Sequence, residues 1–349
     1  MKRILITDAG GPPGVNFIDS LRYSDEEMYI VGTDIDKRHL EWPNIDKAYV
    51  CPFRADDPQY IEWLNKLIDK EQIEFIHSQS DNSVKYLSLN KDKIKAKTFM
   101  SDYKTVRICQ DKFLSAKIIN NGLGEANTLF VQNDEDIKNA GEIIGYPYWM
   151  RARRGAGGRG SSKIESHEMG LHWFNYWRTR NMGWEFIAQK YLSGRDYAFQ
   201  SLWNNGELIV SQVRERLELI YAFLSPSLKT GTPTIAKTVH RNDINIAATK
   251  AIKAIDKNAT GIFCVDLTED ENGIPVVSEI NNSRFFTTSF FFTKAGVNMP
   301  YYYIKLGYGE KLPELKQYNS VEKDLYYLRH IDCPNLLLKE GDWKANELK

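Results

Sequence analysis

Residues 3–7 (Arg-Ile-Leu-Ile-Thr) form a short apolar run that ends in a cluster of turn residues, Gly10-Gly11-Pro12-Pro13-Gly14. A run of that length bounded by glycine and proline reads as a buried strand followed by a tight turn. A helical pattern continues through Leu21, and a second apolar run at 29–33 ends in Asp34. Ile61, Leu64 and Ile68 recur at helical spacing, and residues 74–77 read as a further strand. Strands alternating with helices predict a doubly wound parallel sheet, a Rossmann-like α/β unit, over residues 1–95. The lysine-rich stretch 91–97 reads as its solvated boundary.

From about residue 111 the pattern changes. A helix carrying Phe113, Leu114 and Lys117 is expected to stop at Asn120-Asn121-Gly122. Beyond it, short strands pair across tight turns: 148–153 with 161–164, 197–203 with 207–213 across Asn204-Asn205-Gly206, and 261–267 with 274–281 across Asn272-Gly273. The remainder is therefore expected to be α+β with antiparallel hairpins, and no internal repeat or low-complexity tract interrupts it.

Composition narrows the classes. With 349 residues, 42% of them hydrophobic and 12% aromatic, the chain has material for a large core in two or three units and is unlike a disordered sequence. Lys+Arg and Asp+Glu each total 46, and the resulting zero formal charge argues against a general binder of nucleic acid or anionic membrane. The four cysteines are scattered with no CxxC pair, which speaks against a disulfide framework or cysteine zinc site and for a reducing cytoplasm. The apolar stretch 285–292 is far shorter than the ~20 residues of a spanning helix, and Met1-Lys2-Arg3 does not open a signal peptide.

Several motifs carry candidate chemistry. The first glycine turn does not have GxGxxG spacing, and Pro12 and Pro13 remove two amide donors, so it reads as structural. His167-Glu168 and His172 stand at i and i+5, about 140° apart on a helix, which defeats an HExxH zinc site and leaves an amphipathic helix with Leu171, Phe174 and Trp177. Between two predicted strands lie Gly155, Gly157, Gly158 and Gly160, followed by Ser161 and accompanied by Arg153, Arg154 and Arg159. Glycines expose backbone amides to close approach, so this loop reads as a lid over nucleotide phosphates; no lysine follows Gly160, unlike a Walker A loop. Downstream, Glu279 and Asn281 share one face of a strand, and a hairpin sets Asp266 opposite them. Three hard oxygen donors suit Mg²⁺, and Arg284 is placed to neutralise a phosphoryl group in transfer. Arg214 and Arg216, read at a strand end and on one face, suit an acceptor carboxylate. Weaker candidates are the loop 229–233 with Thr232, His240 as a proton acceptor for an amine, and Asp34 and Asp81 near strand ends.

The glycine-rich hairpin and the later D…E-x-N-x-x-R pattern, in this order and about a hundred residues apart, resemble the ATP-grasp superfamily, most closely its carbamoyl phosphate synthetase-like, carboxylate–amine ligase branch with a pre-ATP-grasp domain. The resemblance implies a pre-ATP-grasp unit at 1–95, a small subdomain with the lid at 96–188 and a large subdomain with the metal site at 189–349. It implies that Lys112, Arg151 and the lid (Gly155, Gly157, Gly158, Gly160, Ser161) hold ATP phosphates, that Gln189, Lys190, Tyr191 and Leu192 border adenine, and that Asp196 holds the ribose. Asp266, Glu279 and Asn281 become the ligands of Mg²⁺, or of Mn²⁺ in its place, and Arg284 the phosphate-stabilising arginine, beside which Arg214 and Arg216, from the strand reading above, complete the candidate catalytic cations. Where the family reads E-x-N-P-R this chain reads Glu279-Ile280-Asn281-Asn282-Ser283-Arg284, which leaves Asn281 and Asn282 both open as the metal ligand. The implied activity is an ADP-forming ligase joining a small carboxylate to an amine through an acylphosphate. The alternatives are phosphorylation of bicarbonate or carbamate, and a non-catalytic ATP-binding regulatory module. The resemblance also implies a homodimer.

Overall fold

The structure, a computed structural model, describes residues 1–119, 128–155, 158, 160–225, 228–229, 231–331 and 333–342. The N-terminal apolar run forms β1 (Lys2–Thr7), followed by α1 (Pro12–Arg22), β2 (Met28–Asp34), β3 (Lys47–Val50), α2 (Tyr60–Glu71), β4 (Phe75–Ser78) and α3 (Asp81–Leu89). The four strands make a parallel sheet in the order β3-β2-β1-β4. Its residues alternate between two cores, as a sheet covered on both faces requires. Leu5, Val31 and Ile76 pack with Leu64 and Ile68 of α2, whereas Ile4, Ile6, Ile30 and Phe75 pack with Phe17 and Leu21 of α1.

One expectation changes here. Residues 10–14 are not a free turn, because Pro12 and Pro13 occupy the first positions of α1, where a missing N–H costs nothing and φ is already helical. The lysines at 91, 93, 95 and 97 are exposed, as a solvated stretch requires, while the Lys97 backbone bonds to Glu74 and Ile76 and adds an isolated parallel bridge to β4.

Helices α4 (Tyr103–Cys109) and α5 (Lys112–Ile119) lead to a second sheet; the helix stop expected at 120–122 lies outside the described residues. β5 (Thr128–Val131), α6 (Asp134–Ile144), β6 (Tyr148–Ala152), β7 (Ser162–Ile164), α7 (His167–Thr179) and β8 (Phe186–Lys190) follow. The strands form an antiparallel sheet in the order β5-β8-β6-β7, whose own core joins Tyr148, Met150 and Phe186 to Ile137 and Phe174 of the two helices. Ser166 caps α7, His167 bonds Asp134 at 2.7 Å and His172 is exposed.

The third sheet contains β9 (Asp196–Asn204), β10 (Glu207–Leu219), β11 (Pro233–Val239), β12 (Gly261–Glu269), β13 (Pro275–Asn282), β14 (Leu325–His330) and β15 (Cys333–Lys339), with α8 (Asn242–Ile255), α9 (Phe290–Lys294) and α10 (Met299–Gly307) interspersed. It is antiparallel, in the order β13-β12-β9-β10-β11-β14-β15. One face (Phe199, Val213, Phe263, Val265) packs on α8; the other (Leu202, Val210, Ile262) joins α9, α10 and the parallel sheet in one core. β10 runs six residues past Val213, so Arg214 and Arg216 lie inside a strand rather than at its end; pairing with β11, which begins at Pro233, extends it. Among the described residues no helix is long and apolar enough to cross a membrane.

Candidate functional site

A cavity of about 170 Å³ opens between the second and third sheets. β6 brings Arg151 to its wall and β8 runs into the segment Lys190–Leu192 that borders it, while the third sheet supplies Asp196, Arg216, Asp266 and Glu279. The start of α5 adds Lys112, fixed because Asp111 accepts the amides of Phe113 and Leu114 and also pairs with Arg153 and Arg154. Lys112 Nζ donates to the Gly155 carbonyl at 2.7 Å and lies 3.4 Å from Glu279, tying the glycine loop to the carboxylate wall.

The β12–β13 register sets Asp266 directly opposite Glu279 and Asn281 opposite Cys264, so the three oxygen-bearing side chains share one sheet face. Asn282 pairs with Phe263 and faces the opposite core, which separates it from the two carboxylates. A register shift follows Asp266 and leaves Ser278 as an extra residue on β13. Its carbonyl is thereby free of the ladder and accepts Arg151 Nη2 at 2.6 Å, a bond that crosses between the two sheets.

Charges in the cavity alternate. Arg216 donates to Asp266 at 2.5 Å, and Arg151 Nη1 lies 3.7 Å from Glu279. Burial pushes the Asp266 carboxyl above its ordinary value, although Arg216 opposes the shift. Burial pushes Glu279 the same way, but Lys112, Arg151 and Arg284 together outweigh it and hold that carboxyl below the usual range. The Nε atoms of Arg151 and Arg216 are buried without a partner, so both guanidiniums retain donors for an anion.

Not every expected residue reaches the cavity. Gly155, Gly158, Ser161, Gln189, Lys190, Tyr191 and Leu192 line it, with Gln189 bonded to Thr128 at 3.1 Å and Lys190 to Glu271 at 2.7 Å. Gly157 lies outside the described residues. Gly160 stands behind the loop, its carbonyl accepting from Trp173 Nε1 at 3.1 Å. Asn281 and Arg284 form a neighbouring group in which Arg284 donates to Asn281 Oδ1 at 2.6 Å and pairs with Asp81. Arg214 is 2% exposed, bonds Thr288 and lies over the Phe286 ring; burial lowers its guanidinium to about 9. The segment leading into α9 covers it and keeps it from the cavity wall. His240 bonds the Val321 carbonyl and is likewise not on this wall.

No protein-family model matches the chain, and no curated protein sequence matches it. Solved structures do. The biotin carboxylase domain of Hydrogenobacter thermophilus 2-oxoglutarate carboxylase, a dimer with MgADP, ADP and bicarbonate, superposes with a TM-score of 0.70 at 19% identity, over 93% of this chain and 73% of that one. Staphylococcus aureus N5-carboxyaminoimidazole synthetase with ADP gives 0.68 at 19% identity over 93% and 81%. The L-amino acid ligase of Bacillus licheniformis gives 0.69 at 12% identity over 94% and 79%. The chain has the ATP-grasp fold.

Within the ATP-grasp cleft, several lining residues escaped the sequence reading. Trp149 and Thr268 each stand two positions from a residue that was read, so the strand period was a usable signal for both. The loop 229–233 was read for its amides and Thr232, whereas it is Lys229 that reaches Asp196 at 3.0 Å; Ser278 depends on the register shift, which leaves no local trace. Asp266 and Glu279 face each other on the cavity wall and offer hard oxygen donors of the kind a divalent cation takes, with Asn281 on the same sheet face but bonded to Arg284.

Proposed function

We propose that this chain is an ATP-dependent, ADP-forming ligase that joins a small carboxylate to an amine through an acylphosphate. The observation that carries the reading is the facing pair Asp266 and Glu279, set among Lys112, Arg151 and Arg216 in a cavity bordered by the glycine loop. ADP in the biotin carboxylase domain and the synthetase, with magnesium in the former, supports the same assignment. In this reading Asp266, Glu279 and Asn281 hold Mg²⁺, which when bound shields phosphate charge. Asn281 turns its oxygen from Arg284 to do so. Lys112, Arg151 and the amides of Gly155, Gly158 and Ser161 orient the phosphates, Gln189–Leu192 border the base, and Asp196 exchanges Lys229 for the ribose hydroxyls. Phosphoryl transfer needs positioning and charge neutralisation more than a protein nucleophile. The acceptor carboxylate oxygen attacks the γ-phosphorus as the bond to ADP breaks. The amine then attacks the acyl carbon, loses a proton and displaces phosphate. Arg216 and Arg284 neutralise the acceptor and the transferring group, and Arg214, on the same face of β10 as Arg216, supports them from under the segment that covers it.

The test is to follow ATP by ³¹P NMR with a pool of small carboxylates and hydroxylamine as trap. ADP, phosphate and a hydroxamate together are expected, and Glu279→Gln is expected to lower turnover by ~100-fold or more while circular dichroism is unchanged. AMP and pyrophosphate as products, or an active Glu279→Gln, overturn the reading. The bicarbonate bound in the carboxylase domain favours a second one, phosphorylation of bicarbonate, which ADP release dependent on bicarbonate and without hydroxamate identifies.

A further inference from the structure

The parallel sheet reverses direction of winding at β1: the chain proceeds from β1 outward to β2 and β3, then returns to place β4 on the other side. In sheets of this kind the crevice beyond the carboxyl ends of the strands, at the reversal, is where ligands bind. Here it holds a cavity of about 270 Å³, separate from the ATP-grasp cleft, that nothing in the proposed ligase chemistry uses.

Its walls carry charge of both signs. Asp8, just past β1, turns its carboxyl into the space, where Oδ2 accepts from the hydroxyls of Thr7 and Ser78 at 3.2 Å. Asp34, past β2, is the second carboxylate; its side chain is 10% exposed, and Oδ1 takes the Asp36 amide at 3.0 Å and faces His39 Nδ1 at 3.4 Å. Burial and the Asp34 charge push the Asp8 carboxyl upward, against the opposing pull of its hydroxyl partners. A cation between the two carboxylates relieves that cost. On the same cavity, Arg54 has no ion pair among the described residues, and Asn82 presents the first turn of α3, which no side chain caps, while Ser83 of that turn is a third hydroxyl partner of Asp8. These favour an anionic group.

The combination selects among ligands. A divalent cation is disfavoured by the arginine and by the absence of a third acidic ligand among the described residues. A phosphate ester alone is disfavoured by two carboxylates. A dinucleotide finds no cradle, because the glycines after β1 pack on protein: a Cβ on Gly10 would lie 2.4 Å from His39 and one on Gly14 would lie 2.6 Å from the carbonyls of Asp8 and Ala9. We propose that this crevice is a second ligand site, for a small zwitterion of the amino-acid class, with its ammonium between Asp8 and Asp34 and its carboxylate on Arg54 and the α3 amides. Asp81, in the same first turn, pairs with Arg284 beside the ATP-grasp cleft, so an occupant of the crevice braces the helix that holds that arginine. The site does not depend on the ligase reading.

Saturation-transfer NMR on the full chain without nucleotide, with the twenty L-amino acids, β-alanine and γ-aminobutyrate each in turn, tests it. At least one is expected to bind, and to weaken at least tenfold in Asp8→Asn, which tolerates the left-handed backbone at that position (φ 54°), and in Arg54→Gln. N-acetylation of the bound amino acid, or its replacement by the amine lacking the carboxylate, is expected to weaken binding similarly. Unchanged melting and ATP binding show that each variant is folded. No binding at 10 mM, binding indifferent to both substitutions, or binding of Mg²⁺ or inorganic phosphate in place of the amino acid overturns the proposal.

Discussion

His77 shows how strongly one buried side chain is committed by its neighbours. It ends the apolar run of β4 with no exposed surface, stacks on Phe17 at 4.3 Å between ring centroids, and meets the Tyr303 hydroxyl at 3.1 Å, while Nε2 has no partner. Burial therefore lowers its pKa to about 3. An unfolded chain holds histidine near its ordinary ~6.5. Between these values the unfolded state takes up a proton that the native state refuses, so stability present above pH 6.5 is lost as pH falls toward 3. The loss from this one group approaches ~1.4 kcal/mol per pH unit. His77→Leu is expected to flatten the acid limb by about that slope in urea titrations at pH 7, 6, 5 and 4. Parallel limbs for the two proteins would remove His77 as the cause. Asp266 and Glu279 obey the same physics with opposite outcomes, because three cations face Glu279 and overcome its burial.

At the scale of elements, the glycine hairpin between β6 and β7 has two mechanically different ends. Among the described residues no atom lies within 4 Å of the position a Cβ on Gly155 (φ 109°) would take, whereas a Cβ on Gly160 (φ 74°) would lie 3.0 Å from the Trp184 ring and 3.3 Å from Phe186. Gly155→Ala is expected to cost only the left-handed backbone, about 1–2 kcal/mol. Gly160→Ala adds overpacking of about 1–3 kcal/mol and shifts Ser161, which leads into β7, so it is expected to lower Tm further and raise the KM for ATP. Equal melting of the two variants, with and without MgATP, would contradict this. The hairpin was legible because its flanking runs alternate and its glycines cluster, and β12 and β13 were legible for the same reason. β3 was not, being a short, polar edge strand, and the β10–β11 pairing was not, because its partner lies beyond a long loop. Arg214 read as a site residue from its face on β10. What buries it, Phe286 and Thr288, arrives far along the chain, and no local pattern reports such a cover.

On the scale of the whole molecule, the three sheets are not three equal bodies. The core that begins with Ile4, Phe17 and Phe75 is completed by Phe285, Phe291 and Tyr303, so the parallel sheet and the seven-stranded sheet share one interior. Polar bonds cross the same boundary: Ser101 N to Ser283 Oγ at 3.1 Å, Asn298 Nδ2 to the Ser20 carbonyl at 2.6 Å, and the Phe285 amide to Gln79 Oε1 at 2.8 Å. Separating the two sheets exposes aromatic rings and strands buried donors, and an unsatisfied buried group costs about 1–3 kcal/mol. The small antiparallel sheet instead closes its core on its own helices, and a polar bridge to its neighbour runs through Arg151 and Ser278. Cooperative units follow shared cores. Hydrogen exchange on the full chain is therefore expected to give β1, β4, β9 and β12 a common opening free energy, with β5–β8 opening at a lower one. MgATP is expected to raise protection in β6, β7 and β8, because the nucleotide adds to the polar links, Arg151 to Ser278 and Lys190 to Glu271, that join the two bodies, and to leave the shared opening of the parallel and large sheets as the slowest event. If β1 and β4 exchanged as an independent, weaker unit, the common interior would not be what holds this molecule together.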